Sequence, residues 1–199
     1  MMAEPSELSV DFTGGAVGHR LKFGGGRGQA LPKACGLTKG QTPRIVDATA
    51  GLGRDSFLLA SLGAEITLIE RSKHMHRLLE DGLVRAQEAG PPFSDIVSRM
   101  TLIFGDAREV LPTLSTDVVL VDPMHPPRGN SALVKIEMRQ LREIVGADPD
   151  AYEVMQAALK AANKRVVLKW PLRADPMPDL KAYSHQILGK STRYDVFMI

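Results

Sequence analysis

Cysteine is nearly absent from this sequence of 199 residues, in which Cys35 is the only one. A single thiol excludes an intrachain disulfide, and no Cys or His stands near Cys35 at metal-ligand spacing, so we expect it to be a packing residue. No apolar run approaches the roughly 18 residues that a membrane span needs, and the polar start of the chain lacks a signal-peptide pattern. The sequence therefore predicts a cytoplasmic protein with no membrane partner.

The composition shows no strong bias either. The chain has 44% hydrophobic and 24% charged residues and a net charge of +2, which is typical of a globular protein and too mild to require a nucleic-acid partner. The length suits one main core.

Acidic residues are missing from one stretch, between Asp11 and Asp47. Six cations fall there, and four of them lie around a glycine-rich segment at residues 23–28: the six are Arg20, Lys22, Arg27, Lys33, Lys39 and Arg44. This distribution predicts a surface that faces phosphate, with Arg20, Lys22 and Arg27 as the candidate contacts. We divide the chain into an N-terminal appendage (residues 1–43) that carries this segment and a main domain (residues 44–199).

From Arg44 onward, short β-rich runs alternate with helical patterns, which indicates an α/β fold with a mostly parallel sheet covered by helices on both faces. The predicted strands are Ile45–Ala48, Glu65–Glu70, Thr101–Phe104, Asp117–Val121, Arg165–Lys169, Tyr183–Leu188 and Tyr194–Ile199. A long helix is predicted between an N-cap at Ser72 and a C-terminal Gly90, despite Gly82 inside it. A later helix is predicted to start with Asp148 as N-cap and Pro149 as its first residue.

The main chemical signal is the run Val46-Asp47-Ala48-Thr49-Ala50-Gly51-Leu52-Gly53-Arg54-Asp55, in which a strand enters a Gly-x-Gly turn that opens a helix. Glycine lets the backbone approach a ligand closely, and the helix start offers free N–H groups to an anion. The alternative is a tight strand-to-helix turn without a ligand.

Two acids at later strand ends extend this signal. Glu70 lies 19 residues after Gly51, close to the offset of a ribose-binding acid in nucleotide folds; the alternative is a solvated strand-end charge. Asp106 could reach an adenine amino group from the third strand, or could cap the helix that begins near Arg108.

Nicotinamide dinucleotides and S-adenosylmethionine both suit this layout. The dinucleotide fingerprint needs Gly or Ala where Ser56 stands, which disfavours the first class. The fourth strand ends in Val121-Asp122-Pro123-Met124-His125-Pro126-Pro127, which resembles the Asp-Pro-Pro-aromatic loop of amino-group methyltransferases. In that reading Asp122 accepts hydrogen bonds from an exocyclic amino group and the His125 ring stacks on the base. The alternative is a proline-rich turn with no chemistry.

Several linked motifs resemble one family, the bacterial small-subunit ribosomal RNA guanine-N2 methyltransferases. They are Val10-Asp11-Phe12-x-Gly14-Gly15-Ala16, His19-Arg20-x-Lys22-Phe23-Gly24-Gly25-Gly26-Arg27-Gly28, Asp47–Asp55, Asp122-Pro123-Met124, Ser131-Ala132-Leu133-Val134-Lys135 and Glu137-Met138-Arg139. The resemblance covers the chain from about Ser9 to Ile199. One departure is His125, where the family usually shows Phe.

The resemblance implies a Rossmann-like class I methyltransferase fold with a seven-stranded sheet, S-adenosylmethionine as cofactor, and ribosomal RNA or the small ribosomal subunit as partner. It implies a cofactor site lined by Arg54, Asp55, Glu70, Arg71, Asp106, Ala107 and Asp122, beside Gly51 and Gly53. The catalytic candidates are Asp122 and His125. The alternatives are methylation of another base amino group, in adenine or DNA, a dinucleotide-dependent oxidoreductase, and an RNA-binding module without catalysis.

Two further groups receive no role at this stage. His74 and His76 lie two apart on the predicted long helix and face different directions, which argues against a metal pair, and we expect no metal. Lys169 ends the fifth strand, where it could meet RNA phosphate or simply extend to solvent.

Overall fold

The parallel strands that the sequence predicts lie side by side in a single sheet. The computed structural model describes residues 8–14, 17, 26–38, 40–124 and 149–199, and these residues form seven strands in the order β3-β2-β1-β4-β5-β7-β6. The strands are β1 (Arg44–Asp47), β2 (Glu65–Glu70), β3 (Met100–Phe104), β4 (Thr116–Val121), β5 (Ala162–Pro171), β6 (His185–Leu188) and β7 (Thr192–Met198). Among them, β7 runs in the reverse direction and pairs antiparallel with β5 and β6, whereas the other pairs are parallel. The predicted fold class is confirmed.

Helices cover both faces of this sheet. In the described residues they are α1 (Ala30–Ala34), α2 (Arg54–Ser61), α3 (Lys73–Glu88), α4 (Phe93–Val97), α5 (Ala107–Val110) and α6 (Ala151–Ala161). Alternate residues of one strand enter two separate hydrophobic clusters: Val118 packs with α2 and α3, whereas Val119 packs with α5 and α6. Burial on both faces explains why the central strands read as continuous apolar runs instead of alternating patterns.

The long helix α3 has the boundaries that its end signals predict. The Ser72 hydroxyl accepts a hydrogen bond from the Met75 amide, and Gly90 follows the helix with a φ of +72°. Such a left-handed residue after the last turn favours glycine. Met75 and Leu79 lie on the buried face of the helix and contact the sheet.

The first described residues, near the N-terminus, pack into the same core. Val10 and Phe12 are buried, and the Phe12 ring stacks on Phe57 of α2 with centroids 4.9 Å apart. The Arg85 guanidinium of α3 donates a hydrogen bond to the Val10 carbonyl at 2.6 Å. Cys35 is fully buried, and burial raises the pKa of its thiol, in accord with the expected packing role. The described parts of the segment that we call an appendage therefore share the core of the sheet.

The interior glycine of α3 has a packing reason. A Cβ on Gly82 would lie 2.6 Å from Val10 Cγ1 and 2.9 Å from the Val10 carbonyl oxygen. In an open helix Gly→Ala stabilises by up to about 1 kcal/mol, but overpacking costs about 1–3 kcal/mol. We expect Gly82→Ala to lower the free energy of unfolding, measured by urea denaturation. Gly28→Ala, whose new Cβ meets nothing within 4 Å, is the control. A Gly82→Ala variant more stable than wild type would contradict this contact.

Two predicted boundaries need correction. Helix α6 begins at Ala151 with Asp150 as its N-cap residue, not at Pro149; Asp148 lies outside the described residues. The Asp150 carboxylate makes no side-chain cap and instead pairs with Arg71 at 2.6 Å and Arg108 at 3.2 Å. Strand β5 is longer at both ends than the predicted Arg165–Lys169, because Ala162 pairs with Thr116 of β4 and pairing with β7 continues to Pro171.

Candidate active site

Charged side chains converge where the strand order reverses. Strands β1 and β4 are neighbours, although β2 and β3 intervene in the chain, and open α/β sheets bind ligands at the carboxyl ends of such strands. Asp47 ends β1, Glu70 ends β2, Asp122 follows β4, and Lys169 lies near the end of β5.

The turn between β1 and α2 needs its glycines. Gly51 and Gly53 have φ values of +52° and +66°. A Cβ on Gly53 would also lie 2.8 Å from Leu79 Cδ2 and 3.1 Å from Phe12 Cζ. The turn thus packs directly against the core on one side, and on the other side it borders the carboxyl ends of the strands.

Two adjoining cavities lie at this edge. The first, the acidic cleft, is lined by Gly51, Glu70, Arg71, Asp106, Ala107, Asp122 and Asp150, among others. The second, the β4–β5 cavity, has a volume of about 430 Å³ and is lined by Gly51, Gly53, Arg54, Asp55, Asp122 and Lys169, among others. The structure therefore brings together every predicted cofactor residue, and Gly51 and Asp122 border both spaces. His125 lies outside the described residues.

Glu70 is not a solvated strand-end charge. It is 5% exposed, and its two carboxylate oxygens accept hydrogen bonds from the amides of Gly51, at 3.0 Å, and Ser72, at 2.7 Å. The side chain therefore ties the glycine turn to the start of α3.

Asp106 caps a helix, which was the alternative reading of this residue. Its carboxylate accepts hydrogen bonds from the Arg108 amide and from the Arg108 guanidinium. These contacts, led by the side-chain hydrogen bond, lower the pKa of Asp106. Its carboxylate is thus ionised in the wall of the acidic cleft.

Asp150 belongs to this cleft, although the sequence reading missed it. Its Oδ2 binds two guanidinium groups, whereas its buried Oδ1 has no hydrogen-bond partner within the ranges that the structure describes. A buried acceptor without a partner favours a ligand that donates a hydrogen bond.

Lys169 connects the two sides of the β4–β5 cavity. Its Nζ lies 2.6 Å from Asp122 Oδ2 and 2.8 Å from Asp55 Oδ2. Lys169, to which the sequence assigned no role, does not extend freely to solvent, because its ammonium binds two carboxylates. The sequence held one signal, a lysine at the end of the strand beside Asp122, but only the strand register shows the contact.

Behind the cavity, Asp47 is buried with hydroxyl and amide partners. Ser56 Oγ donates to Asp47 Oδ2 at 2.6 Å, and the Thr49 amide donates to Oδ1 at 3.2 Å. Burial raises the pKa of Asp47 to about 7. The Thr49 hydroxyl in turn accepts a hydrogen bond from the Asp122 amide, so Asp47, Thr49 and Asp122 are linked. This network explains Ser56, where a dinucleotide site needs Gly or Ala.

The raised pKa of Asp47 predicts a pH-dependent effect of Asp47→Asn on stability. Because the folded pKa exceeds the unfolded value of about 3.8, the protonated side chain favours the folded state at low pH, and this contribution is lost as pH rises through 7. Asparagine does not titrate. We expect the melting temperature of Asp47→Asn, relative to wild type, to rise between pH 5 and pH 7.5.

The control for this measurement is Asp117→Asn. Burial acts to raise the pKa of Asp117, but hydrogen bonds from the Arg44 amide and from Lys164 outweigh it and lower the pKa. Its effect on stability should then stay constant over the same pH range. A pH-independent difference for Asp47→Asn would show that Asp47 is already ionised at pH 5.

Arg27 does not lie at this edge. Its guanidinium donates hydrogen bonds to the carbonyls of Thr38 and Leu62, and Leu62 caps the end of α2 that leads back to the start of β2. The predicted phosphate contact of Arg27 is therefore not favoured, because two of its N–H donors bind the protein's own backbone away from this edge. Arg20 and Lys22 lie outside the described residues.

Other site types find little support in the described ranges. No group of three His, Cys, Asp or Glu side chains there could hold a metal ion, and no helix there is long and apolar enough to cross a membrane. The His76 ring packs edge-on against Phe104, with centroids 5.4 Å apart.

Known proteins share this sequence and fold. A family model described as "Putative SAM-dependent methyltransferase", where SAM is S-adenosylmethionine, matches residues 2–199. The ribosomal RNA small subunit methyltransferase J of Brucella anthropi is 70% identical over 195 residues, 98% of this chain and 95% of that protein. Its counterpart in Agrobacterium fabrum is 67% identical over 199 residues, 100% and 96% of the two chains.

A solved structure agrees with these matches. The crystal structure of a SAM-dependent methyltransferase from Neisseria gonorrhoeae has a TM-score of 0.77 and 37% identity, covering 100% of this chain and 77% of that one. Fold and site thus define a class I methyltransferase with S-adenosylmethionine as its cofactor. The chain belongs to the ribosomal RNA small subunit methyltransferase J family. The resemblance inferred from the motifs is confirmed, and the oxidoreductase alternative is excluded.

Proposed function

We propose that this enzyme transfers a methyl group from S-adenosylmethionine to the exocyclic N2 amino group of a guanine in small-subunit ribosomal RNA. The names of the relatives from Brucella anthropi and Agrobacterium fabrum support the RNA class. The observation that carries the reaction is the position of Asp122, which borders both the acidic cleft and the β4–β5 cavity. A methyl donor in the first space and a base in the second would meet beside its carboxylate.

The residues of the acidic cleft, together with the glycine turn that borders the β4–β5 cavity, suit the cofactor. When bound, S-adenosylmethionine supplies an electrophilic methyl group on a positively charged sulfur. Glu70 and Asp106 place negative charge on the walls of the cleft, and the unpartnered Oδ1 of Asp150 would accept a hydrogen bond from an adenine amino group or a ribose hydroxyl. Gly51, Gly53 and the N–H groups at the start of α2 would receive the carboxylate of the amino-acid moiety. Arg54, Asp55, Arg71 and Ala107 complete the proposed set.

Asp122 acts as acceptor and positioner in this mechanism. The lone pair of the guanine amino nitrogen is delocalised into the ring, which makes the nitrogen a weak nucleophile. Hydrogen bonds from its N–H groups to the Asp122 carboxylate would orient the nitrogen and stabilise the positive charge that develops during attack. The new nitrogen–carbon bond would form as the methyl–sulfur bond breaks, and the nitrogen would then lose one proton, which leaves both products neutral at these atoms. Because the target base must leave any helix to enter the cavity, we expect an exposed or flipped guanine.

RNA contacts outside the cavity complete the proposal. Arg20 and Lys22 are the remaining candidates for phosphate, and the His125 ring is the candidate for stacking on the base. Ribosomal RNA as substrate implies that the enzyme works in the cytoplasm. A second candidate function, methylation of an amino group on adenine, has the same support from Asp122, since a carboxylate accepts hydrogen bonds from either amino group.

Analysis of methylated nucleosides tests the proposal. Small-subunit RNA without the modification is incubated with the enzyme and labelled S-adenosylmethionine, both as naked RNA and as assembled subunits. The labelled nucleoside is then identified by mass spectrometry and its position mapped. We expect N2-methylguanosine at one position. Label in N6-methyladenosine would favour the second candidate, and no label in either RNA would reject both.

A further inference from the structure

The contact between Lys169 and Asp122 follows from the strand register. Strands β4 and β5 are parallel, with Val121 paired to Leu168, so the next residue of each strand, Asp122 and Lys169, also stands side by side. Asp55 reaches the same ammonium from the first turn of α2. The side chains of Lys169, Asp55 and Asp122 are 24%, 16% and 40% exposed, so the cluster is shielded but open toward the cavity.

The ammonium balances two carboxylates that are close to each other. Asp55 and Asp122 each bind Lys169 Nζ through one oxygen, and these oxygens therefore lie within two hydrogen-bond lengths of each other. Burial acts to lower the pKa of Lys169, but the charges of Asp122 and Asp55 outweigh it and raise the pKa above its ordinary value. Without the lysine, two like charges would face each other in a partly buried space.

We propose that Lys169 is a positioning residue for methyl transfer, which holds the Asp122 carboxylate in place and ionised at the junction of the two cavities. This inference rests on the proposed function. An ionised carboxylate only accepts hydrogen bonds, whereas a protonated one presents an O–H donor. The guanine edge offers N1–H and N2–H as neighbouring donors, so only the ionised form of Asp122 complements it fully. Lys169 thus acts on the reaction through Asp122.

Other charged side chains surround this cluster in the described residues. The charged side chains that line the β4–β5 cavity in the described residues are Asp47, Arg54, Asp55, Asp122 and Lys169. On the adjacent strand β7, Arg193 pairs with Asp195 at 3.1 Å. The third acid of the cavity, Asp47, is buried, and its raised pKa and its hydrogen bond from Ser56 separate it from the pair that Lys169 binds.

The first test reads the ionisation of Asp122 without any substrate. The carboxyl carbon of Asp122, assigned with Asp122→Asn, is titrated by NMR in wild type, Lys169→Met and Lys169→Met/Asp55→Asn. Because an opposite charge at this distance lowers a carboxyl pKa by about 1–3, we expect the midpoint to rise by at least about one pH unit in Lys169→Met. It should return partway in the double variant, which lacks the like charge. Should Lys169→Met not fold, Lys169→Gln, which keeps a donor without the charge, replaces it.

The matched control is Lys164→Met on the same strand. Lys164 is 62% exposed and pairs with Asp117 at 3.1 Å, near the start of β4. It should leave the Asp122 midpoint unchanged. An Asp122 midpoint in Lys169→Met equal to that of wild type would overturn the proposal, whether or not the RNA is a substrate.

The second test follows methyl transfer. Single-turnover rates on small-subunit RNA are measured against pH for the same variants. We expect the acid limb of the Lys169→Met profile to move to higher pH, with its rate approaching that of wild type at high pH. A uniform loss at every pH would reduce Lys169 to a structural ion pair. Wild-type enzyme that methylates no RNA would instead reject the proposed function, while the NMR titration would still decide the role of Lys169.

Discussion

Replacing Asp122 by alanine is expected to lower the single-turnover rate of methyl transfer by about 10²–10³-fold, by analogy with the loss of one positioned hydrogen-bonding group in an oxyanion hole. The fold should survive, because the amide of residue 122 still donates to Thr49 and Lys169 still pairs with Asp55, so no buried charge is left alone. Cofactor affinity should fall less than the rate, since only one of several groups in the acidic cleft is removed.

Asp122→Asn separates the charge from the hydrogen bond. Asparagine keeps one acceptor oxygen but loses the negative charge that Lys169 binds, so we expect a rate between those of wild type and Asp122→Ala. The rates are measured with saturating RNA and cofactor, and folding is checked by thermal melts. Asp117→Ala is the control, because Asp117 lies near the start of β4 whereas Asp122 follows its end. It should methylate at the wild-type rate. Wild-type rates in Asp122→Ala would remove this residue from the mechanism.

Glu70→Ala should weaken S-adenosylmethionine binding by roughly 10–100-fold, because a charged hydrogen bond contributes about 1.5–3 kcal/mol. Two losses combine in this variant: the proposed contact with a ribose hydroxyl, and the bonds that hold the amides of Gly51 and Ser72. Glutamine is no mild replacement here. Both oxygens of Glu70 face N–H donors, so an amide nitrogen in place of either oxygen sets donor against donor.

Isothermal calorimetry of cofactor binding to wild type, Glu70→Ala and Glu70→Gln tests this expectation. Glu65→Ala is the matched control, since Glu65 begins the same strand β2 and is exposed. It should bind the cofactor as wild type does. Equal affinity in Glu70→Ala would limit Glu70 to a structural role, and an undiminished Glu70→Gln would show that the negative charge is not needed.

The sequence predicted the elements better than the contacts between side chains. The β2 and α3 boundaries follow from local signals, because hydrophobic runs, caps and glycines act within a few residues. Lys169 and Asp150 could not be assigned in this way. Their ionic partners are distant in sequence, and only the strand register and the helix packing determine which side chains are in contact. These partners are Asp55 and Asp122 for Lys169, and Arg71 and Arg108 for Asp150.

Arg27 shows a limit of predicting function from composition. A cluster of cations around glycines is a compositional signal, and composition does not tell whether a guanidinium faces solvent or a backbone carbonyl. In the fold it binds Thr38 and Leu62, away from the cleft. Ser56 correctly argued against a dinucleotide site, but the sequence did not show why a serine stands there. In the fold its buried hydroxyl donates a hydrogen bond to Asp47.

The place of β7 in the sheet has a consequence for biosynthesis. Strand β7 lies between β5 and β6, yet it is the last of the seven described strands to leave the ribosome. Until then β5, which carries Lys169, has one unpaired edge, and unpaired edges recruit other strands. The strand that supplies a charge to the proposed active centre thus becomes internal only after β7 has been synthesised. In a nascent chain of this enzyme, β5 is therefore a strand whose open edge can pair with other chains until β7 has been synthesised.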